Sequence, residues 1–568
     1  MLGEPTGGWE ETLPTGSFED KPMTLQTEFS SVRVGSPPSP PAALRAWNRA
    51  IETFDTWRVA ADFSDAERGW MGARVVVRVA GQVVGRGSAV RTDEQLSVVA
   101  AALAACLRDI ERRSPFDRDE DLSAKLSELV RAGRVELEIA GGLAPLDDEA
   151  VEHPDTLLSP GLDGVAVRLG DRLDLIGSGE LLATTRTPSQ GYADLLSRLT
   201  GEPGLALEPV PKVAAERGAV FYRFRSAHLA QLGFERTPRF LQRGGDVVEA
   251  GTLDRRELEQ FAEGLAAYII DEIAGRANAA EAASQPDAWL AVVALAHVSS
   301  SLPEPVRGRA ASAVGSWLEL ARLSPPRSED ALALASAVAY RSGQPAAWAR
   351  RAMEQFAETP PDGASPREAL RVWALTQAGA ETGEHAGARL DALLAATPDG
   401  ALVSLMPFAG WACLDIVGED ERSTAWLERL ISERLLLWGH QLRPGSVDFE
   451  SRDLVGGVVF TAGGARLPTW HTARPVAFAA SALRDPRLTP EDERVGELSR
   501  VMSSLRVLRQ LAVDAGSFSA LQWGASGWGV RASLWDAEQP LAASALTLIA
   551  VSETLETVRS WGANRPAE

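Results

Sequence analysis

A chain of 568 residues exceeds what one hydrophobic core usually organises, and 45% apolar with 24% charged residues leaves enough side chains for two sizeable cores. With 78 acidic against 57 basic residues the formal net charge is -21, and no Lys/Arg run with interleaved aromatics offsets it, so a nucleic-acid partner is not expected. Six His and two Cys, Cys106 and Cys413, far apart in the chain, argue against a disulfide framework or a cysteine metal site and fit a reducing compartment.

Residues 1–42 end in GSPPSPPAA and read as a flexible leader. The first residues, MLGEPTGGWEE, lack the basic start and apolar run of a signal peptide, while Met23 offers a second start. No window holds eighteen uninterrupted apolar residues, so no membrane span is expected and the expected location is cytoplasmic.

A helix is expected from Ala43 to Ala60, followed by a hairpin over Ala73–Val90 that turns at Gly81. Residues 94–113 place Leu96, Val99, Leu103, Cys106 and Leu107 on one helical face. In AGRVELEIAGGLAPL, Val135, Leu137 and Ile139 alternate with Glu136 and Glu138, a strand with one wet face. LSPGLDGVAVRLGDRLDLIGSGELL, residues 158–182, supplies a turn and two further strands, with Gly161 and Gly164 assigned to backbone angles that a side chain disfavours. A helix from Tyr192 to Leu199 completes an α+β domain over 43–215, and residues 216–252, with His228 alone in FRSAHLAQ, start as a strand, turn at Gly244 and Gly245 and read as the connection between halves.

From residue 253 to 568 strand signals nearly vanish. Twelve helices are expected, near 254–276, 287–299, 304–323, 328–342, 344–358, 365–379, 384–396, 401–417, 420–438, 472–484, 491–514 and 539–561. Pairs recur at roughly 40 residues, the range of stacked two-helix units, so the expectation is an all-α domain forming an α/α toroid of about six helix pairs, with an open solenoid second.

The N-terminal half resembles the AMMECR family. The turn with VVGRGSA is similar to that family's LRGCIG hairpin, RVELEIAGGLAPL to its following strand, and LSPGLDGVAVRL to its GVDGLVLE segment. The resemblance spans roughly residues 55–205 and implies an α+β fold. It sets the family's Arg-Gly-Cys on Arg86, Gly87 and Ser88, so a hydroxyl stands where the family has a thiol. The C-terminal half is similar in pattern to the α/α toroid group of terpene cyclases, prenyltransferase β-subunits and several glycan-active enzymes. LQWGASGW, residues 521–528, nearly repeats the cyclase Gln-Trp spacing, but no Asp-rich acid motif accompanies it in the helical half.

Candidate chemistry gathers in the long non-helical stretch 443–478 and the turn 529–543. Asp448, Glu450 and Asp453 offer paired carboxylates for acid/base work on a glycan, or an acidic loop that pairs with Arg452, Arg466 or Arg474. His471 beside Trp470 and Arg474 offers a stacking and proton-transferring group, or a histidine satisfied at a helix start. Arg531, Trp535 and Asp536 precede the final helix, where Asp536 also suits a cap. If both stretches share one rim, Asp448, Glu450, His471 and Asp536 are the catalytic candidates and Trp470, Arg474, Arg531 and Trp535 the ligand-binding ones. No metal or cofactor is expected. The expected function is a binding or scaffold protein whose toroid mouth holds a small molecule, glycan or peptide while the first domain engages a protein partner. The alternative is an acid/base enzyme acting on a sugar or isoprenoid-like substrate.

Overall fold

The computed structural model describes residues 36–59, 67, 69–91, 97–114, 122–231, 237–276, 284–298, 301–343, 345–418, 421–447, 449–460, 467–513 and 528–563. Its N-terminal part is α+β: α1 (Pro40–Thr56), β1 (Gly72–Val79), β2 (Gln82–Val90), α2 (Val98–Arg113), α3 (Leu122–Arg131), β3 (Arg134–Pro145), α4 (Asp148–Glu152), α5 (Pro154–Leu157), β4 (Asp163–Leu169), β5 (Arg172–Ile176), α6 (Ser178–Ala183), α7 (Pro188–Thr200), α8 (Val210–Arg217), β6 (Val220–Ala230) and β7 (Arg239–Phe240). The sheet is antiparallel throughout, in the order β2-β1-β3-β6-β4-β5, with β7 on the end of β6. It curls so far that β2 and β5, its edge strands, approach one another without pairing, which leaves a near-barrel with an open seam.

Period-two alternation decides what each face carries. Val75, Val77, Leu137, Ile139 and Leu229 join one core with Leu103, Cys106 and Leu126 of α2 and α3, while Val165, Val167 and Ile176 join a second core with Tyr192, Leu195 and Leu196 of α7. Local signals set the helix ends: Thr187 and Gln190 form a capping box around Pro188 at the start of α7, and Gly201 closes it in the left-handed region. Gly161 has φ +74°, as its turn requires, but Gly164 does not share that reason. A Cβ on Gly164 would sit 2.3 Å from the Phe224 ring, so that glycine serves close packing.

Residues 216–252 are more than a joint between halves: the strand expected at their start is β6, a central strand paired on both sides, with β3 and β4. The short helices α3, α4, α5, α6 and α8 were not anticipated.

The C-terminal part is mostly helical: α9 (Arg255–Arg276), α10 (Pro286–Val298), α11 (Val306–Leu323), α12 (Glu329–Arg341), α13 (Ala347–Glu358), α14 (Pro366–Gln377), α15 (Gly383–Ala396), α16 (Phe408–Ile416), α17 (Glu421–Gly439), α18 (Ala473–Ala482), α19 (Arg494–Leu511), the short pair β8 (Ala512–Val513) and β9 (Gly529–Val530), and α20 (Leu541–Ala563). Each expected helix has a counterpart. Even-numbered helices pack in succession, α10 on α12, α12 on α14, α14 on α16, α16 on α18, while α20 packs on both α18 and α10. The odd-numbered helices α11, α13, α15, α17 and α19 each pack on the even-numbered helix before them, and α9 packs on α20. Trp289 and Trp317 meet edge to face at 5.3 Å, and the alanines of α10, α12 and α20 let the backbones approach. Leu541–Trp561 of α20 is long and apolar enough to cross a membrane, with mean hydropathy 1.4, but 89% of it is buried among its neighbours.

Candidate functional site

The even-numbered helices α10, α12, α14, α16 and α18 end together. Their last turns carry His297 (α10), Arg341 (α12), Gln377 (α14) and Asp415 (α16). Arg484 follows α18 and Glu553 projects from the second half of α20. These residues, except Gln377, join Trp411, Leu414, Ser481, Asp485, Pro486 and Arg487 around an open cavity of about 600 Å³. The Arg341 cation at the end of α12 sits favourably against that helix's dipole.

The polar groups form one chain around the cup. Arg341 donates through Nε to Gln377 Oε1 at 2.6 Å and through an NH1 hydrogen to His297 Nδ1 at 3.0 Å, with its guanidinium 5.3 Å above the Trp373 ring. A guanidinium only donates, so His297 accepts at Nδ1 and its Nε2–H donates to Glu553. Glu553 also pairs with Arg484. Asp415 Oδ2 accepts from Thr376 at 3.0 Å and from Gln377. Trp411 stacks on His297 at 6.3 Å and donates to Ser481 at 3.1 Å.

Environment pushes the two carboxyls apart. Asp415 is open to the cup, yet crowding by protein raises its pKa against the opposing pull of Thr376, Arg341 and Gln377. Glu553 is buried, but the hydrogen bond from His297 and the Arg484 ion pair outweigh burial and hold it below the usual carboxylate range. Arg341 is lowered by the same crowding, although its side chain remains solvent-exposed inside the cup.

The residues singled out from sequence lie elsewhere. Trp470, His471, Arg474, Arg531, Trp535 and Asp536 belong to the starts of α18 and α20, the opposite end of these helices. They are brought together there, since Trp470 N–H donates to Ala532 O at 3.0 Å, but the region is packed. Arg531 is 5% exposed and serves the carbonyls of Leu511 and Gln510 at 3.2 and 3.3 Å; burial lowers it to about 10. His471 stacks on Trp470 at 4.2 Å, and burial together with Arg474 lowers it to about 4. Asp536 accepts from the Glu538 N–H at 2.9 Å and closes a turn.

Asp448 lies outside the described residues, as does LQWGASGW apart from Trp528. Glu450 and Asp453 do not join the rim. Glu450 pairs with Arg225 at 2.9 Å and Asp453 with Arg243 at 3.0 Å, both arginines from the N-terminal part. Arg243, 1% exposed, also donates to Pro160 O in the LSPGLDG turn and to Ser451 Oγ, so the acidic loop is a joint between the two parts.

A second cavity, about 800 Å³, opens at the seam of the sheet and is lined by Arg86, Gly87 and Ser88 of β2. The register places Ser88, Arg74, Glu138 and His228 in one row across β2, β1, β3 and β6. Glu138 accepts from Ser178 Oγ, Ser226 Oγ and the Gly179 N–H at 3.1, 2.9 and 3.0 Å. His228 is therefore a residue of the sheet, not of the connection, and bonds Glu136 at 3.2 Å. Burial alone would lower its pKa; Glu136 and Glu138 overcome that and raise it. Gly87 faces α2, where a Cβ would come within 2.1 Å of Ala102 O, so this glycine lets the helix lie directly on the strand. Ser88 is exposed, and its hydroxyl has no hydrogen-bond partner among the described residues. Cys106 and Cys413 are buried free thiols, each pushed up to about 12 by burial. Among the described residues no three His, Cys, Asp or Glu side chains are grouped to hold a metal.

No protein-family model matches the chain, and no curated protein matches it. Among solved structures it is similar to the uncharacterized protein PH0010 from Pyrococcus horikoshii, at 15% identity and a TM-score of 0.25, over 35% of this chain and 93% of that one.

Proposed function

We propose that the helical part is an α/α toroid whose cup at the helix C-termini binds a small polyhydroxylated, sugar-like ligand. The cyclic order of packing from α10 through α18 to α20 and back to α10 supports the toroid. The observation that carries the ligand class is the cup itself. Five helices and the segment after α18 contribute His297, Arg341, Gln377, Asp415, Arg484 and Glu553, and alternating donors and acceptors beside the indole of Trp411 match hydroxyl groups on an apolar ring. The N-terminal part, read as AMMECR-like from its ordered motifs, is the partner-engaging half.

Binding is preferred over turnover because Glu553, the lower-pKa acid, is already engaged by His297 and Arg484 and is poorly placed to accept a substrate proton. The second reading, acid catalysis, rests on Asp415, whose raised pKa is the property of a general acid. Tryptophan fluorescence titration with neutral monosaccharides, sugar acids and short glycans tests both. Saturable quenching that Trp411→Leu abolishes and Asp415→Asn preserves, without product formation, supports a binding protein. Product that disappears in Asp415→Asn supports the enzyme, and no response from any sugar removes both.

A further inference from the structure

The seam of the sheet holds a feature that the helical cup does not explain. Five arginines, Arg74, Arg86, Arg108, Arg112 and Arg198, face four acids, Asp109, Glu138, Asp174 and Glu180, around the larger cavity of a chain whose net charge is -21. The acids are mostly committed. Asp109 accepts from the Arg86 main-chain N–H at 3.0 Å and pairs with Arg112 and Arg113 at 2.5 and 2.9 Å. Glu138 is held by Ser178, Ser226 and Gly179, and Glu180 faces Arg74 at 3.4 Å. The guanidiniums of Arg86 and Arg108 are exposed and have no ion pair among the described residues.

Backbone geometry adds donors at the same place. β2 is an edge strand, and the Arg86 N–H points outward from it to Asp109, so two residues on the Ser88 N–H also points outward, beside a free hydroxyl. An inserted peptide strand would need about 9.5 Å between β2 and β5, two strand spacings. Their Cα atoms approach within 8 Å, so a small molecule fits the seam and an added strand does not.

We propose that this seam is a second binding site, for a small organic oxyanion, held by Arg86, Arg108 and the Ser88 hydroxyl and N–H. Carboxylate and phosphate share the required chemistry, because a guanidinium presents paired N–H donors to either. Gly87 places the site by letting α2, which carries Arg108, lie directly against β2, which carries Arg86 and Ser88.

The test is calorimetric titration of the full chain with malonate and with glycerol 2-phosphate at low salt. At least one saturates, weakens as salt rises, and loses about tenfold or more in affinity in Arg86→Gln and in Arg108→Gln, with about threefold lost in Ser88→Ala. Arg217→Gln, at an exposed ion pair with Glu202, leaves affinity unchanged. Stronger binding of malonate or of the phosphate assigns the group. Absence of binding by both probes, binding indifferent to Arg86 and Arg108, or binding abolished by Arg341→Gln in the helical cup overturns the proposal.

Discussion

The two ends of the even-numbered helices carry similar residues and use them oppositely. At the starts of α18 and α20, Trp470, His471, Arg474, Arg531 and Trp535 fold against one another and the core. Arg531 spends its donors on main-chain carbonyls. At the other end His297, Arg341, Trp411 and Asp415 meet around open space. Residue type therefore does not distinguish a structural cluster from a binding one; the distinction is whether polar groups are consumed by backbone or left facing a cavity.

The contrast can be broken most forcefully at the loop that leads to the packed end. Arg243→Ala strands Asp453, which is 0% exposed, and should cost about 3–5 kcal/mol in denaturant unfolding with loss of cooperativity between the two parts. A cost below 1 kcal/mol would mean the joint is not held by this pair.

Two histidines sharpen the comparison through pH. His471, lowered to about 4, stays neutral when folded and takes up a proton near 6.5 when unfolded, so stability is full above 6.5 and falls as pH drops toward 4. The effect is on the order of 2 kcal/mol after solvent screening, and His471→Gln should flatten that slope. His228 is raised, so its contribution has the opposite sign: full below 6.5 and lost as pH rises through the folded value. Unfolding free energies of His471→Gln and His228→Gln from pH 4 to 8 should differ from the parent in opposite directions. Equal slopes in both variants would contradict the assigned environments.

Smaller effects rank two glycines of the LSPGLDG turn. Gly161→Ala should cost about 1 kcal/mol through its positive φ and a close approach of 3.0–3.2 Å to Leu182 and Arg243, whereas Gly164→Ala should cost more, because the new methyl would come within 2.3 Å of the Phe224 ring and must displace it. Melting temperatures that rank them the other way would reverse the explanation.

Much of the fold was legible. The twelve C-terminal helices announced themselves because alanine-rich faces repeat at helical spacing between Pro and Gly breaks, and β1, β2, β3, β4 and β5 because of period-two alternation. β6 was only half legible: AVFYRF reads as the start of a strand, but Arg223 and Arg225 on one face and His228 on the other look in sequence like a wet connection, and in the structure they serve Asp163, Glu450 and Glu136. The cup was illegible for a related reason. Its polar residues come one at a time from different helices, four of them from last turns and Glu553 from the middle of α20, and only the packing of those helices brings them together. A usable signal was present nonetheless, since His297, Arg341, Gln377 and Asp415 each stand in the last turn of a helix after an apolar run. The long loop concentrates acids locally, and two of them, Glu450 and Asp453, are partners for arginines about two hundred residues earlier.

The most direct test of the open end as the ligand site is calorimetric titration of the full chain with sugars and sugar acids, run beside Arg341→Gln in the cup and Asp536→Asn in the packed end. Saturable binding that weakens about tenfold in Arg341→Gln and is unchanged in Asp536→Asn is the predicted result. Binding that survives Arg341→Gln and is lost in Asp536→Asn would place the ligand at the packed end and contradict the account.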